Sequence, residues 1–206
     1  MPTTCRISPD DLLEQHGTTY AAQAGITLRD KPMPLFQLLV LTMLSSIRIS
    51  ADVAADAAGE LFRCGWRTPQ RLRDSTWQHR VDALGRGGYR RYDESTATRL
   101  DELAARVQEE HRGDLRRIRP GPDGSVEDLA RAVSDFGRIG PTGAGIFRRE
   151  VQAVWPEMAP YFDDRARQAA LDLGYPTSPE ALADLVADRD TARLSAALVR
   201  WSLTQN

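Results

Sequence analysis

The sequence contains almost no lysine. Lys31 is the single lysine among 206 residues, so the other basic side chains, histidines apart, are all arginine. Arginine binds phosphate through a planar, two-pronged contact, but its guanidinium cannot serve as the amine nucleophile of a Schiff base. The composition therefore argues against covalent catalysis through a lysine.

Thiols and imidazoles are also scarce. The two cysteines, Cys5 and Cys64, cannot supply the four thiolates of an iron–sulfur cluster or of an all-cysteine zinc site. The three histidines lie far apart in the sequence and have no ligand spacing. We therefore expect no metal site and no cofactor, and the isolated cysteines agree with a reducing compartment.

Long apolar runs are missing as well. The longest, from Leu38 to Leu44, includes Thr42 and is far shorter than the roughly 20 residues that cross a bilayer. The first residues, Met1 to Arg6, are not followed by the apolar core of a signal peptide. We expect a cytoplasmic protein with no membrane partner.

The overall proportions of hydrophobic and charged residues are those of a globular protein. Hydrophobic residues make up 41% and charged residues 27% of a chain long enough to bury a core, as one domain or two small lobes. The net charge of −2 argues against a protein that coats nucleic acid. Arginines nevertheless gather in three clusters: Arg86, Arg90 and Arg91; Arg112, Arg116, Arg117 and Arg119; and Arg138, Arg148 and Arg149. The first and third flank glycines, where backbone can approach a ligand, and solvated surface is the alternative interpretation.

The apolar residues recur with a helical period. No segment alternates with a period of two over the length of a strand, which predicts an all-α protein. The segment from Leu35 to Ser46 is apolar on nearly all sides and is expected to be a buried helix. Turn-prone polar residues from Ser45 to Ser50 interrupt it where it should reach the surface, and we expect a functional position there.

Two further helical runs meet in a short, glycine-rich turn. Leu129, Ala132, Val133 and Phe136 form the stripe before it, and Ala144, Phe147, Val151 and Val154 form the stripe after it. This pattern predicts a helix–hairpin–helix at about residues 129–152. Such a hairpin directs the free N–H groups of its turn and of the second helix outward, where they bind an anion such as phosphate.

Three pieces of the sequence stand in an order typical of one family. They are the buried helix that leads to Ser45 and Ser46, the hairpin with Ile139 and Gly140, and Phe162-Asp163 followed by Leu173-Gly174. Over roughly residues 30 to 175 the chain resembles the helix–hairpin–helix DNA glycosylase superfamily, typified by endonuclease III.

The resemblance implies two helical lobes with an active-site cleft between them. Residues 31–149 would form the lobe that carries the hairpin, and residues 1–30 with 150–206 would form the other. It also implies that the hairpin holds a backbone phosphate of double-stranded DNA while a damaged or modified nucleotide is flipped into the cleft. The expected location is then cytoplasmic and nucleoid-associated.

In that family the aspartate at the start of the helix after the hairpin is catalytic. Asp163 occupies this place, and the next residue, Asp164, is the second candidate for the catalytic carboxylate. Cleavage of an N-glycosidic bond builds positive charge on the sugar, which a fixed carboxylate stabilises while it orients or deprotonates water. The alternative interpretation is that both aspartates only cap a helix.

The chain departs from the family pattern at the hairpin. Bifunctional members carry a lysine where this chain has Thr142, so the resemblance implies a monofunctional enzyme that forms no Schiff base. Arg138 stands at the first expected hairpin glycine, with Gly137 displaced by one, and it either adds a phosphate contact or distorts the turn. The residues predicted to bind DNA phosphate are Gly137, Arg138, Ile139, Gly140, Thr142 and Gly143. The family's iron–sulfur cysteines are missing, as in its cluster-free branches.

Further positions are candidates for contact with the base. Ile47, between Ser46 and Arg48, takes the place of the glutamine with which endonuclease III fills the vacated base stack, and an apolar wedge can do the same. Tyr89 and Tyr92 follow a glycine turn and either stack on a base or pack inside the lobe.

Together these features predict a monomeric, monofunctional DNA N-glycosylase of base excision repair, which hydrolyses the bond to a damaged or modified base. Two alternatives remain open. One is a catalytically silent binder of DNA structure, and the other is a helical protein-interaction module, which the acidic net charge supports best.

Overall fold

The computed structural model describes residues 7–121, 124–137 and 139–205. Over these ranges the regular structure is helical and includes no strand, so the all-α prediction is confirmed. Arg138 lies outside the described residues. The α-helices in chain order are α1 (Pro9–His16), α2 (Tyr20–Gln23), α3 (Pro32–Ser45), α4 (Ala51–Arg63), α5 (Pro69–Arg73), α6 (Trp77–Arg86), α7 (Asp93–His111), α8 (Val126–Ser134), α9 (Pro141–Val151), α10 (Asp164–Asp172), α11 (Pro179–Ala183) and α12 (Thr191–Thr204).

The helices form two compact units. The larger comprises Tyr20–Phe147, and the smaller comprises Met1–Thr19 together with Arg148–Asn206. The larger unit starts at Tyr20 rather than at residue 31 because α2 packs against α4. None of the helices in the described part of the chain is long and apolar enough to span a bilayer.

Local sequence determines where many helices begin. In each case a hydroxyl side chain at the N-cap accepts a hydrogen bond from the amide three residues later, which satisfies one of the free donors of the first turn. The residues that cap in this way are Ser8, Ser50, Thr68, Thr76, Ser125 and Ser178.

The core of the larger unit is built around α3. Every residue from Pro34 to Leu44 is buried, as its apolar sequence predicted, and α3 packs on α4, which in turn packs on α6. Gly87 allows this last approach, because a Cβ at its position would lie 2.4 Å from the Cα of Ala57. The next residue, Gly88, has a left-handed backbone with φ of +81°. Packing and turn geometry therefore explain these glycines without a ligand.

A buried arginine joins α5, α6 and α7. Arg80, only 5% exposed, donates from Nε to the Ala97 carbonyl at 3.0 Å and from Nη1 to the carbonyls of Leu72 (3.2 Å) and Ser75 (2.9 Å). Its guanidinium also lies 3.5 Å from the Asp101 carboxylate. Leu72 lies in α5, Ser75 in the turn between α5 and α6, and Ala97 in α7, so one side chain of α6 holds all three segments.

In the smaller unit, α1 and α10 pack on α12. Arginines of α12 bond to the end of the N-terminal segment, since Arg193 donates to the Gly17 carbonyl at 3.2 Å and Arg200 to that of Thr18 at 2.7 Å. The hydroxyl of Tyr175 donates to the Ile7 carbonyl at 2.6 Å. These bonds tie the first described residues to the C-terminal helices.

We expect Arg80→Met to lower the free energy of unfolding by about 3 kcal/mol, because it leaves buried carbonyls without their donors. Urea unfolding monitored by circular dichroism measures the change. Arg73→Met is the matched control, since Arg73 is 40% exposed and its contact with Glu109 spans 3.9 Å, so a loss below about 0.5 kcal/mol is expected. Equal losses of unfolding free energy in the two variants would show that the buried hydrogen bonds of Arg80 do not stabilise the protein.

Candidate functional site

The predicted hairpin consists of α8, a short turn and α9. Helix α8 ends at Ser134, and Gly137 in the turn has a left-handed backbone with φ of +72°. Helix α9 begins at Pro141, a residue suited to a first helical position because that position needs no N–H donor. The Ala144 N–H donates to the Gly140 carbonyl at 3.0 Å. N–H groups ahead of Ala144 have no acceptor within the helix, as at every helix start.

The hairpin packs against the end of α3. A Cβ at Gly143 would lie 2.2 Å from the Ser46 Oγ and 2.7 Å from the Ile139 Cγ2. The Ser46 hydroxyl is held there because it donates to the Thr42 carbonyl at 2.7 Å. The structure thus brings three predicted site residues together, but Ile139 and Gly143 are buried and face the protein.

Of the predicted phosphate-binding residues that the structure describes, Gly137, Gly140 and Thr142 are exposed. Gly140 differs from the other two glycines of the motif. Its backbone is not left-handed, and a Cβ added to it would meet no described atom within 4 Å. No described contact and no left-handed backbone requires glycine at this position.

The segment between α3 and α4 carries the predicted wedge. Ile47 is half-buried and Arg48 is exposed, while Ser46 is occupied by its contacts with the hairpin. The Ile49 N–H donates to the Ile47 carbonyl at 2.8 Å, which bends the backbone at this point. Ile47 and Arg48 therefore remain the wedge candidates of this segment.

Tyr89 packs inside the larger unit. Its side chain is 1% exposed, and its hydroxyl donates to the Leu44 carbonyl at 2.7 Å. Burial raises the pKa of the Tyr89 phenol far above its usual range, so the group stays a neutral donor. Tyr92 is half-buried, edge-on to Tyr89 at 6.5 Å, with the Arg91 guanidinium 5.3 Å from its ring. For Tyr89 these contacts favour the packing interpretation over base stacking.

Asp163 is the N-cap of α10, and two donors fix its carboxylate. Oδ1 accepts the Ala166 N–H at 2.9 Å, and Oδ2 accepts Nη1 of Arg149 at 2.7 Å. The side chain is still 23% exposed, whereas Arg149 is 4% exposed. Asp164 is different, because its side chain is 95% exposed and pairs with Arg167 on the same helix. The two aspartates are therefore not equivalent, and only Asp163 has a fixed, partly accessible carboxylate.

The end of α9 also holds the segment that leads to Asp163. The amide of Gln152 forms two bonds with the backbone of Tyr161, donating to its carbonyl at 3.0 Å and accepting from its N–H at 2.9 Å. The Arg148 guanidinium lies 4.1 Å from the centre of the Tyr161 ring and donates to the Met158 carbonyl at 3.3 Å. Burial, and secondarily the Asp163 charge, raises the pKa of Tyr161.

Arg148 and Arg149 of the third arginine cluster, which was expected either to approach a ligand or to lie on solvated surface, form contacts inside the smaller unit. Arg149 is buried and Arg148 is half-buried, and both contact that unit's own residues. The first two clusters also contain ion pairs: Arg86 with Glu60 at 3.2 Å, Arg116 with Asp114 at 2.7 Å and Arg119 with Asp30 at 2.7 Å. Sequence periodicity does not reveal the pair of Arg149 and Asp163, because the two residues are 14 positions apart.

Within the described residues, no group of three or more histidine, cysteine, aspartate or glutamate side chains is placed to hold a metal ion. Lys31 is exposed at the start of α3 in the larger unit. The Asp163 carboxylate itself is a fixed anion beside the buried Arg149 guanidinium. No model of a known protein family matches the chain, and no curated protein matches it.

We expect Gly143→Ala to destabilise the protein. The new methyl displaces Ile139 and breaks the bond from Ser46 to Thr42, at a cost of about 1–3 kcal/mol that exceeds the gain in helix propensity of at most about 1 kcal/mol. Thermal unfolding of the variant measures the effect. Gly140→Ala is the matched control, because its methyl meets no described atom within 4 Å. A Gly143→Ala protein as stable as this control would contradict the close packing of hairpin and α3.

Proposed function

We propose that the protein is a monofunctional DNA N-glycosylase, which hydrolyses the bond between a damaged or modified base and its sugar. The observation that carries the proposal is the carboxylate of Asp163. Two donors hold it at a helix start, its side chain is 23% exposed, and it lies in the chain order that the helix–hairpin–helix resemblance implies.

The geometry of Asp163 suits this chemistry. A carboxylate has about four acceptor positions, and Arg149 and the Ala166 amide use two of them. The others are available to a water molecule or to positive charge on a sugar. Because its orientation is fixed before substrate binds, the anion needs little reorganisation as that charge develops.

The reaction follows from these roles. The C1′–N bond breaks and its electron pair leaves with the base, so that positive charge develops on the sugar. Asp163 stabilises this charge and orients a water molecule, whose oxygen forms the new C1′–O bond. One proton of the water passes to Asp163 and the other stays on the new hydroxyl. Asp163 then releases its proton, through solvent, to the departing base and is a carboxylate again. No amine takes part, which agrees with Thr142 at the position where bifunctional members have lysine.

The hairpin provides the second part of the proposal. Gly140 and Thr142 are exposed at the start of α9, where N–H groups are directed at an anion, and Gly140 leaves room for a phosphate. We assign the DNA-backbone contact to these two residues and Gly137. Ile139 and Gly143 support the turn from inside.

A catalytically silent binder of DNA structure is the second candidate. The pairing of buried Arg149 with Asp163 at 2.7 Å favours it to some extent, because the same pair would serve to cap α10 in a protein without activity. The two functions share the hairpin and differ only in whether Asp163 acts on a sugar.

We expect Asp163→Asn to abolish base release, because the amide keeps the shape but not the charge of the carboxylate. Wild type is incubated with duplexes that contain uracil, hypoxanthine, 3-methyladenine-type or oxidised bases, and alkali then cleaves the abasic sites. At least one lesion should yield breaks, and the variant's rate should fall by about 100-fold or more.

Two further variants complete this experiment. Asp164→Asn tests the second candidate and should keep most of the activity, since that side chain is 95% exposed. Asp172→Asn at the end of α10 is the control for loss of an aspartate. Full activity of Asp163→Asn, strand breaks without alkali, or trapping of a protein–DNA adduct by borohydride would each contradict the mechanism.

We expect the affinity for duplex DNA to fall as salt rises, because phosphate contacts release counterions. Gly140→Val should weaken binding by about tenfold, since its side chain fills the space next to the phosphate. No described atom lies within 4 Å of the new Cβ, and thermal unfolding checks that the variant is folded at the temperature of the binding measurement. Fluorescence anisotropy at about 50 and about 200 mM salt measures both effects.

Gly121→Val is the control, because an added Cβ at Gly121 also meets no described atom within 4 Å. Binding that is insensitive to salt would contradict a role in DNA recognition. Equal affinities of Gly140→Val and wild type would show that the phosphate does not approach Gly140.

A further inference from the structure

We infer that Arg149 is a positioning residue for Asp163, which fixes the carboxylate from the second helix of the hairpin. This inference rests on the proposed function, because positioning has meaning only if the carboxylate acts on a sugar. It assigns to α9 a role beyond phosphate binding.

The first argument is geometric. An N-cap aspartate needs only one oxygen to bond the amide of the first turn, and the Asp163 Oδ1 does so with Ala166 at 2.9 Å. That single bond leaves the carboxylate free to turn about its Cβ–Cγ bond. The bond of 2.7 Å from Arg149 Nη1 to Oδ2 removes this freedom, since both oxygens are then held.

The second argument concerns burial. Arg149 is 4% exposed, and its Nε lies 3.9 Å from Oε1 of Glu150, which is 2% exposed. A guanidinium so placed between two carboxylates cannot turn away into water, in contrast to the exposed Arg167 that pairs with Asp164. Its planar fork is therefore a fixed reference for Asp163.

The third argument is that neighbouring residues of α9 brace the same segment. Gln152 bonds both backbone groups of Tyr161, two residues before Asp163, and also donates to the Arg149 carbonyl at 2.9 Å. The backbone before the cap is thus fixed by the helix that supplies the side-chain contact. Side chain and backbone of Asp163 are both positioned from α9.

The test compares a cationic with a neutral sugar analogue. One duplex carries a protonated pyrrolidine in place of a single sugar, and the other carries the uncharged tetrahydrofuran analogue. A correctly placed carboxylate should give wild type about a tenfold preference for the cation, and Asp163→Asn should remove it. The preference requires no turnover and is measured by anisotropy at a temperature where every variant is folded.

Arg149→Met distinguishes three roles by the direction of its effect. Loss of positioning lowers the preference for the cation to about twofold or less, with affinity for the neutral duplex unchanged. If Arg149 acted only through its charge, its removal would raise the preference, because a positive charge leaves the site. If it contributed only to stability, the folded variant would keep the wild-type preference. Either of the last two results overturns the inference.

Arg149→Lys returns a charged donor with a different shape, and its preference should lie between those of Arg149→Met and wild type. It also decides the question if Arg149→Met fails to fold, since a preference equal to or above that of wild type would then overturn the inference.

Arg189→Gln removes an arginine that is 88% exposed in the same unit and should leave the preference unchanged. If wild type shows no preference and Asp163→Asn changes nothing, the proposed function fails, and the positioning role fails with it. If instead Asp163→Asn loses the preference for the cationic duplex while Arg149→Met keeps it, the proposed function stands and only the positioning role of Arg149 fails.

Discussion

The ion pair between the buried Arg149 and the partly exposed Asp163 is the contact on which the candidate site depends. A guanidinium that is 4% exposed needs a nearby anion, and the cap of α10 provides one at 2.7 Å. The same constraint fixes the carboxylate in one orientation, so stability of the smaller unit and order at the candidate site have a common source. Arg148 of α9 and Gln152, which follows the helix, add contacts to the segment before Asp163.

Four glycines are explained by the fold itself. Gly87 and Gly143 occupy places where a Cβ would collide with Ala57 or Ser46, and Gly88 and Gly137 have left-handed backbones. Gly140 meets neither condition within the described structure. It lies just before the first residue of α9, the kind of position at which anions bind to a helix start.

Much of the helical architecture could be predicted from the sequence, because its causes are local. Hydroxyl caps such as Ser50, Thr76 and Ser178 act within one turn, and the all-apolar composition of α3 predicted its burial. The partners of the arginines could not be predicted, because those contacts join residues distant in sequence. The sequence leaves two interpretations open for Tyr89, base stacking or packing inside the lobe, and two for the arginine cluster that includes Arg149, approach to a ligand or solvated surface. In both cases a hydrogen bond to a residue distant in sequence decided the outcome, and a local periodic pattern does not reveal such bonds.

The central claim is that the protein hydrolyses an N-glycosidic bond without covalent attachment to DNA. Mass spectrometry of a modified duplex after incubation with the wild-type protein tests this directly. The account predicts a free base, a strand of unbroken length in which a hydroxyl has replaced that base, and a protein of unchanged mass. Unchanged strands across the full set of damaged and modified bases, or a protein joined to DNA, would contradict it.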